Sequence, residues 1–142
     1  MKSVKFSPRI IQPITRFNSD DKQTPTFCFG IIATKYNNDS KLNLVKFEAI
    51  KSKELAEKIN TLSQLTWEEI KKLSRKTNGY EMIPLTCLKN SNLQELLKNS
   101  NQNEAMVFRV KSTTKSRLIG FREGRVFKVC CYDHDGVLYN HN

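Results

Sequence analysis

SRLIGFREGRVFKVCCYD, residues 116–133, decides the fold. It reads as two strands, Ser116 to Arg122 and Arg125 to Asp133, joined by a two-residue Glu123-Gly124 turn in which glycine supplies positive φ. That turn sets Arg122 opposite Arg125, Phe121 opposite Val126, Ile119 opposite Lys128 and Arg117 opposite Cys130. Alternation then sorts the ribbon into two faces. Leu118, Gly120, Phe127, Val129 and Cys131 form one, expected to pack on helices, with Arg122 and Arg125 at the turn end. Arg117, Ile119, Phe121, Val126, Lys128, Cys130, Tyr132 and His134 form the other, a mixed and half-exposed surface.

Upstream, Ala105 to Lys111 supplies the next strand, and Asn92 to Asn99 a short helix. Tyr80 to Leu88 is extended, and Pro84 argues for an edge strand or a strand that ends there, because proline has no N–H to give a neighbour. Helical spacing of Leu55, Ile59 and Leu62 marks a helix over Ser52 to Leu65, with Lys53, Glu57 and Lys58 facing water. Thr66-Trp67-Glu68-Glu69 is a capping box that opens a second helix carrying Trp67, Ile70 and Leu73 on its apolar stripe and ending at Gly79. Thr26 to Tyr36 and Leu42 to Ile50 read as strands of an N-terminal hairpin. Residues 1–25, interrupted by prolines, form an extension. The sum is an α+β domain over residues 26–142, with a mostly antiparallel sheet packed on two main helices.

The 142 residues carry a formal net charge of +10, and the basic excess lies at the two ends of the chain. Such a field favours polyanions. No apolar run approaches the ~20 residues of a membrane span, and residues 1–16 lack a signal peptide's apolar core. A cytoplasmic protein with no membrane partner is expected, its four cysteines reduced and buried. Cys130, Cys131, His134 and His141 match no metal-ligand spacing, so neither a metal nor another cofactor is expected.

Arg117, Lys128, Tyr132 and His134 are the constellation that bears on chemistry. Metal-independent RNA cleavage needs proton transfer to and from oxygen and cations for the phosphorane charge. Arg117 and Lys128 suit the phosphate, with Arg109 joining from the next strand; His134 or Tyr132 suits the proton. Ordinary surface charge on a half-exposed sheet accounts for the same residues without chemistry.

Helices followed by an antiparallel sheet, closing in the basic hairpin of residues 116–133 with His134 and Tyr139 beyond it, resemble the RelE/YoeB/HigB-like bacterial toxins. The resemblance implies a metal-independent endoribonuclease acting on ribosome-bound mRNA and neutralised by an acidic antitoxin. It implies catalytic roles for Arg117, which with Arg109 would stabilise the phosphate, and for His134 or Tyr132 in proton transfer, with Lys128 binding the substrate; Arg122 and Arg125 are expected to contact the nucleic acid as well. The rival expectation is a non-catalytic nucleic-acid- or protein-binding module from a phage or mobile element.

Overall fold

The computed structural model of the protein describes residues 20–30 and 49–140. Five strands form one sheet: β1 (Thr26–Cys28), β2 (Tyr80–Pro84), β3 (Glu104–Arg109), β4 (Arg117–Glu123) and β5 (Val126–Asp133), in the order β1-β5-β4-β3-β2. Every pairing is antiparallel except β1 with β5. Among the described residues, the helices that accompany the sheet are α1 (Ala49–Leu62), α2 (Trp67–Lys71) and α3 (Ser91–Asn99). The architecture is α+β and mostly antiparallel, as expected from the sequence.

Local signals explain several boundaries. Thr66 accepts from the Glu69 amide while the Glu69 carboxylate takes the Thr66 amide at 2.9 Å, so the capping box forms and α2 starts at Trp67. The helix is shorter than its stripe implies. It ends at Lys71, which leaves Leu73 exposed rather than packed. Pro84 closes the edge strand β2, and a 3₁₀ turn over Leu85–Cys87 leads away from it. Asn90 caps α3 by accepting from the Leu93 amide. In α1, Leu55 and Leu62 are buried as spaced, but Lys58, assigned to the water side, is buried too.

Aromatic packing organises one side of the sheet. Phe108 lies at 5.2 Å from Phe127, 5.8 Å from Tyr80 and 6.4 Å from Trp67, ring centre to ring centre, all in edge or tilted geometry. Trp67 is fully buried and donates its indole N–H to the Arg125 carbonyl at 2.9 Å. The other side is covered as well. Residues 105–108, 117–121 and 129–133 are buried without alternation, the pattern of strands enclosed on both faces. The expectation of a half-exposed hairpin face is therefore corrected. Leu138 and Tyr139 pack back on the sheet, and the Lys89 amide donates to the Leu138 carbonyl at 2.7 Å.

The hairpin register also differs from expectation. Glu123 pairs with Val126, Arg122 with Phe127 and Phe121 with Lys128, so the loop is Gly124-Arg125. Gly124 has φ +60° and takes the first loop position, where a II′-type hairpin turn needs it. Farther along, Gly120 pairs with Val129 but Ile119 pairs with Cys131, leaving Cys130 as an extra residue in β5. Gly120 permits this bulge: a Cβ there would lie 2.1 Å from the Lys128 carbonyl oxygen. The bulge inverts the facing of everything after it. Arg117 sits across from Asp133, while Tyr132 sits across from Leu118 on the opposite face.

At the N-terminal end, β1 joins the sheet in parallel beside β5, with Thr26 next to Val126. The rest of the expected N-terminal hairpin, residues 31–48, lies outside the described residues, as do His141 and residues 1–19. Residues 20–25 run without a break into β1 and are tied to the domain: the Trp67 amide donates to the Gln23 carbonyl at 3.0 Å.

Candidate nucleic-acid interface

The bulge and the double cover separate the four residues expected to act together. Arg117 is 5% exposed. Its Nε donates to the Tyr139 hydroxyl at 3.2 Å, and its Nη1 to the carbonyls of Thr114 at 3.2 Å and Ser116 at 3.0 Å. Those bonds spend the guanidinium inside the protein. Tyr132 is also buried; its phenol interacts with the Ser116 hydroxyl, and burial, with Glu54 nearby, pushes its pKa up to about 12. Lys128 lies near the hairpin turn, with its amine 3.1 Å from Glu123, which raises its pKa. Cys130 is buried and its thiol is pushed up to about 12, so it is no nucleophile. Cys87, expected to be buried, is exposed, and all four cysteines are free.

His134 stays near Tyr132, ring centres 5.9 Å apart and perpendicular. Its Nε2 lies 3.3 Å from Glu54 Oε1 and its Nδ1 3.0 Å from Asp135 Oδ1. Only the doubly protonated ring donates both bonds at once. The second oxygen of Glu54 lies 3.3 Å from Lys111 Nζ. One carboxylate from α1 thus joins the end of β5 to the loop after β3.

Beside this junction opens a cleft of about 330 Å³. α1 contributes Glu54, Glu57, Lys58 and Thr61 to it; the segment before β2 contributes Lys76, Thr77 and Asn78; the end of β3 and its loop contribute Arg109, Val110, Lys111 and Ser112. Lys58 Nζ donates to Asn78 Oδ1 at 2.9 Å and to the Thr77 carbonyl at 3.2 Å. Burial lowers its pKa to about 8. Four basic side chains against two carboxylates give the cleft an excess of positive charge. None of the lining residues is aromatic, so the cleft suits a sugar–phosphate backbone rather than stacked bases.

Of the expected RNA contacts, only Arg109 lies in this cleft; His134 adjoins it through Glu54. Arg122 and Arg125 lie at the far end of the hairpin and are engaged by residues 20–24. Glu54, Lys58 and Lys111 escaped the sequence reading. Their one signal was that Glu54 and Lys58 stand four apart in the helix that carries Leu55, Ile59 and Leu62. Among the described residues, no three His, Cys, Asp or Glu side chains gather as a metal-binding group, and no helix is long and apolar enough to cross a membrane. Comparison with protein-family models, curated proteins and solved structures finds no match to this chain.

Proposed function

We propose that this protein binds RNA, with the phosphate backbone lying in the cleft between α1 and the end of β3. One observation carries the reading: Lys58, Lys76, Arg109 and Lys111, from three separate parts of the chain, converge on the same opening. The net charge of +10 supplies the long-range attraction, and the cleft supplies a place for contact. The test is fluorescence anisotropy of a labelled single-stranded RNA across a salt series. Replacing both Arg109 and Lys111 with alanine is expected to weaken binding about tenfold or more and to reduce the salt slope by about two charges. Unchanged affinity in the folded double variant removes the cleft from RNA binding.

A second reading, a metal-independent endoribonuclease, is favoured by the contact between His134 and Glu54 at the edge of that cleft. In this reading Glu54 takes the proton from the 2′-hydroxyl and His134 gives one to the leaving 5′ oxygen. Arg109 and Lys111 offset the charge that builds on the phosphorane. Arg117 and Tyr132, expected to be catalytic, take no direct part because both are buried. Ribosome-bound mRNA as substrate and an acidic antitoxin as inhibitor belong to this reading alone. It is tested by incubating RNA with the protein in excess chelator and analysing the fragments.

A further inference from the structure

The hairpin end opposite the cleft is also cationic, and the chain's own N-terminal segment covers it. Asp21 Oδ1 lies 2.6 Å from Arg122 Nη2, and Asp21 Oδ2 lies 2.8 Å from Lys71 Nζ. The carboxylate therefore bridges two cations with its two oxygens, as two oxygens of one phosphate would. Arg122 is preset for that contact. Its Cζ sits 4.3 Å over the Trp67 ring, and its Nε donates to the Gly124 carbonyl at 2.6 Å. Arg125 is held by the same segment: its Nε donates to the Thr24 carbonyl at 3.2 Å. Asp20 adds a second carboxylate, close enough that a Cβ on Gly124 would lie 3.2 Å from its Oδ2.

Three basic side chains from α2 and the hairpin are thus engaged by one short stretch that carries two adjacent acids. Lys71 and Asp21 remain partly exposed, with 44% and 36% of their side chains accessible. Exposed pairs such as Lys71–Asp21 are weak and exchange with competing anions in solution, while Arg122, with 16% of its side chain accessible, is the more enclosed arm of the bridge. A tethered carboxylate on a rigid guanidinium is a replaceable ligand, since a phosphodiester offers the same oxygens with more charge to share.

We infer that Arg122, Lys71 and Arg125 form a second phosphate-binding site for RNA, which Asp21 occupies until RNA displaces residues 20–24. The inference rests on the proposal that RNA is the ligand, but on different residues. From Arg117, which pairs with Arg109, to Arg122 is roughly 17 Å along β4 at ~3.3 Å per residue, so cleft and hairpin end are separate contact points on one sheet.

The test uses the full chain and a labelled oligouridylate RNA in anisotropy titrations at two salt concentrations. Asp21→Asn is expected to tighten binding about fivefold and to steepen the salt slope by about one charge. Arg122→Gln in the Asp21→Asn background is expected to return affinity to the wild-type level. Glu104→Gln, which removes an equal charge from an exposed position at the start of β3, should shift affinity less than twofold. A folded Asp21→Asn protein that binds no better than Glu104→Gln overturns the inference.

Hydrogen exchange on the wild-type chain reads the same event without a variant. Saturating RNA should speed exchange in residues 20–24, and unchanged or slower exchange there overturns the displacement. Loss of binding on Arg109→Ala/Lys111→Ala together with no gain on Asp21→Asn sinks only this second site. A gain on Asp21→Asn with an inert cleft variant sinks only the cleft.

Discussion

Arg117 and Tyr139 are joined inside the protein: the guanidinium donates to the phenol at 3.2 Å, and the phenol donates onward to Glu81 at 3.3 Å. A strand, the closing tail and the edge strand meet in that relay. The arginine that looks catalytic in the sequence is a fastener for residues 138–139. Arg117→Ala takes a donor from the Thr114 carbonyl and the Tyr139 hydroxyl and leaves a gap at a buried position, and the expected loss is about 2–4 kcal/mol in urea unfolding. RNA affinity of the folded fraction should be unaltered. Weakened RNA binding at full stability would return Arg117 to the interface.

His134 and Glu54 separate the two functional readings. If RNA is cut, His134→Gln should slow cleavage by a factor of about 100 or more while changing RNA affinity less than threefold. Timed gels of a defined RNA, alongside anisotropy, measure both. Intact RNA after prolonged incubation with the wild-type protein leaves binding alone.

If RNA lies in the cleft, Lys58 makes its binding depend on pH. Its folded pKa of about 8 lies below the ordinary 10.5, so its ammonium is present below pH 8 and lost as pH rises through that value. Phosphate binds the ammonium, so affinity should fall between pH 7 and 9, and Lys58→Met should flatten the profile. Stability has the opposite slope from this group. Between about 8 and 10.5 the unfolded chain holds the proton that the folded chain has released, so Lys58 makes stability rise with pH there. Denaturation at pH 7.5 and 9.5, wild type against Lys58→Met, checks the sign.

Asp21 acts at the other end of the scale. Its hydrogen bond with Lys71, then that with Arg122, holds its pKa below the ordinary 3.8. The stabilisation is present above 3.8 and disappears as pH falls through the lowered folded value. Thermal melts from pH 2 to 5 should show a shallower acid limb for Asp21→Asn than for wild type, and identical limbs would refute the link.

Gly120 is expected to tolerate no side chain. An added Cβ would meet the Lys128 carbonyl at 2.1 Å and the Phe127 ring at 2.9 Å. Gly120→Ala should cost about 1–3 kcal/mol or prevent folding, read by circular dichroism and urea titration. A wild-type unfolding curve would mean that the bulge relaxes freely.

How much was legible depends on the range of the signal. The Thr66 capping box, the short helix read over Asn92 to Asn99 and the strand-limiting Pro84 are local, and the sequence reveals each. The hairpin itself was visible, but its register was not. Adjacent Cys130 and Cys131 continue the strand pattern, and nothing in their chemistry marks one of them as an extra residue. That single residue moved Tyr132 away from Arg117 and dissolved the expected constellation. The cleft was hidden for another reason. Lys58 reads as a solvated helix position and Glu54 draws no notice until the loops of residues 76–78 and 109–112 are brought over them. Likewise, β1 announced itself as a strand, but its partner lies far away in the chain.

That distance has a consequence for how the molecule is made. Asp21 meets Arg122 across 101 positions, and Thr26 takes its place beside Val126. Contacts of such wide separation come late, after local pieces have organised. During synthesis the acidic strip emerges long before the hairpin it covers exists, so it waits without its dock. Closure over the guanidinium needs both strands of the hairpin in place, so it is available only to a finished sheet.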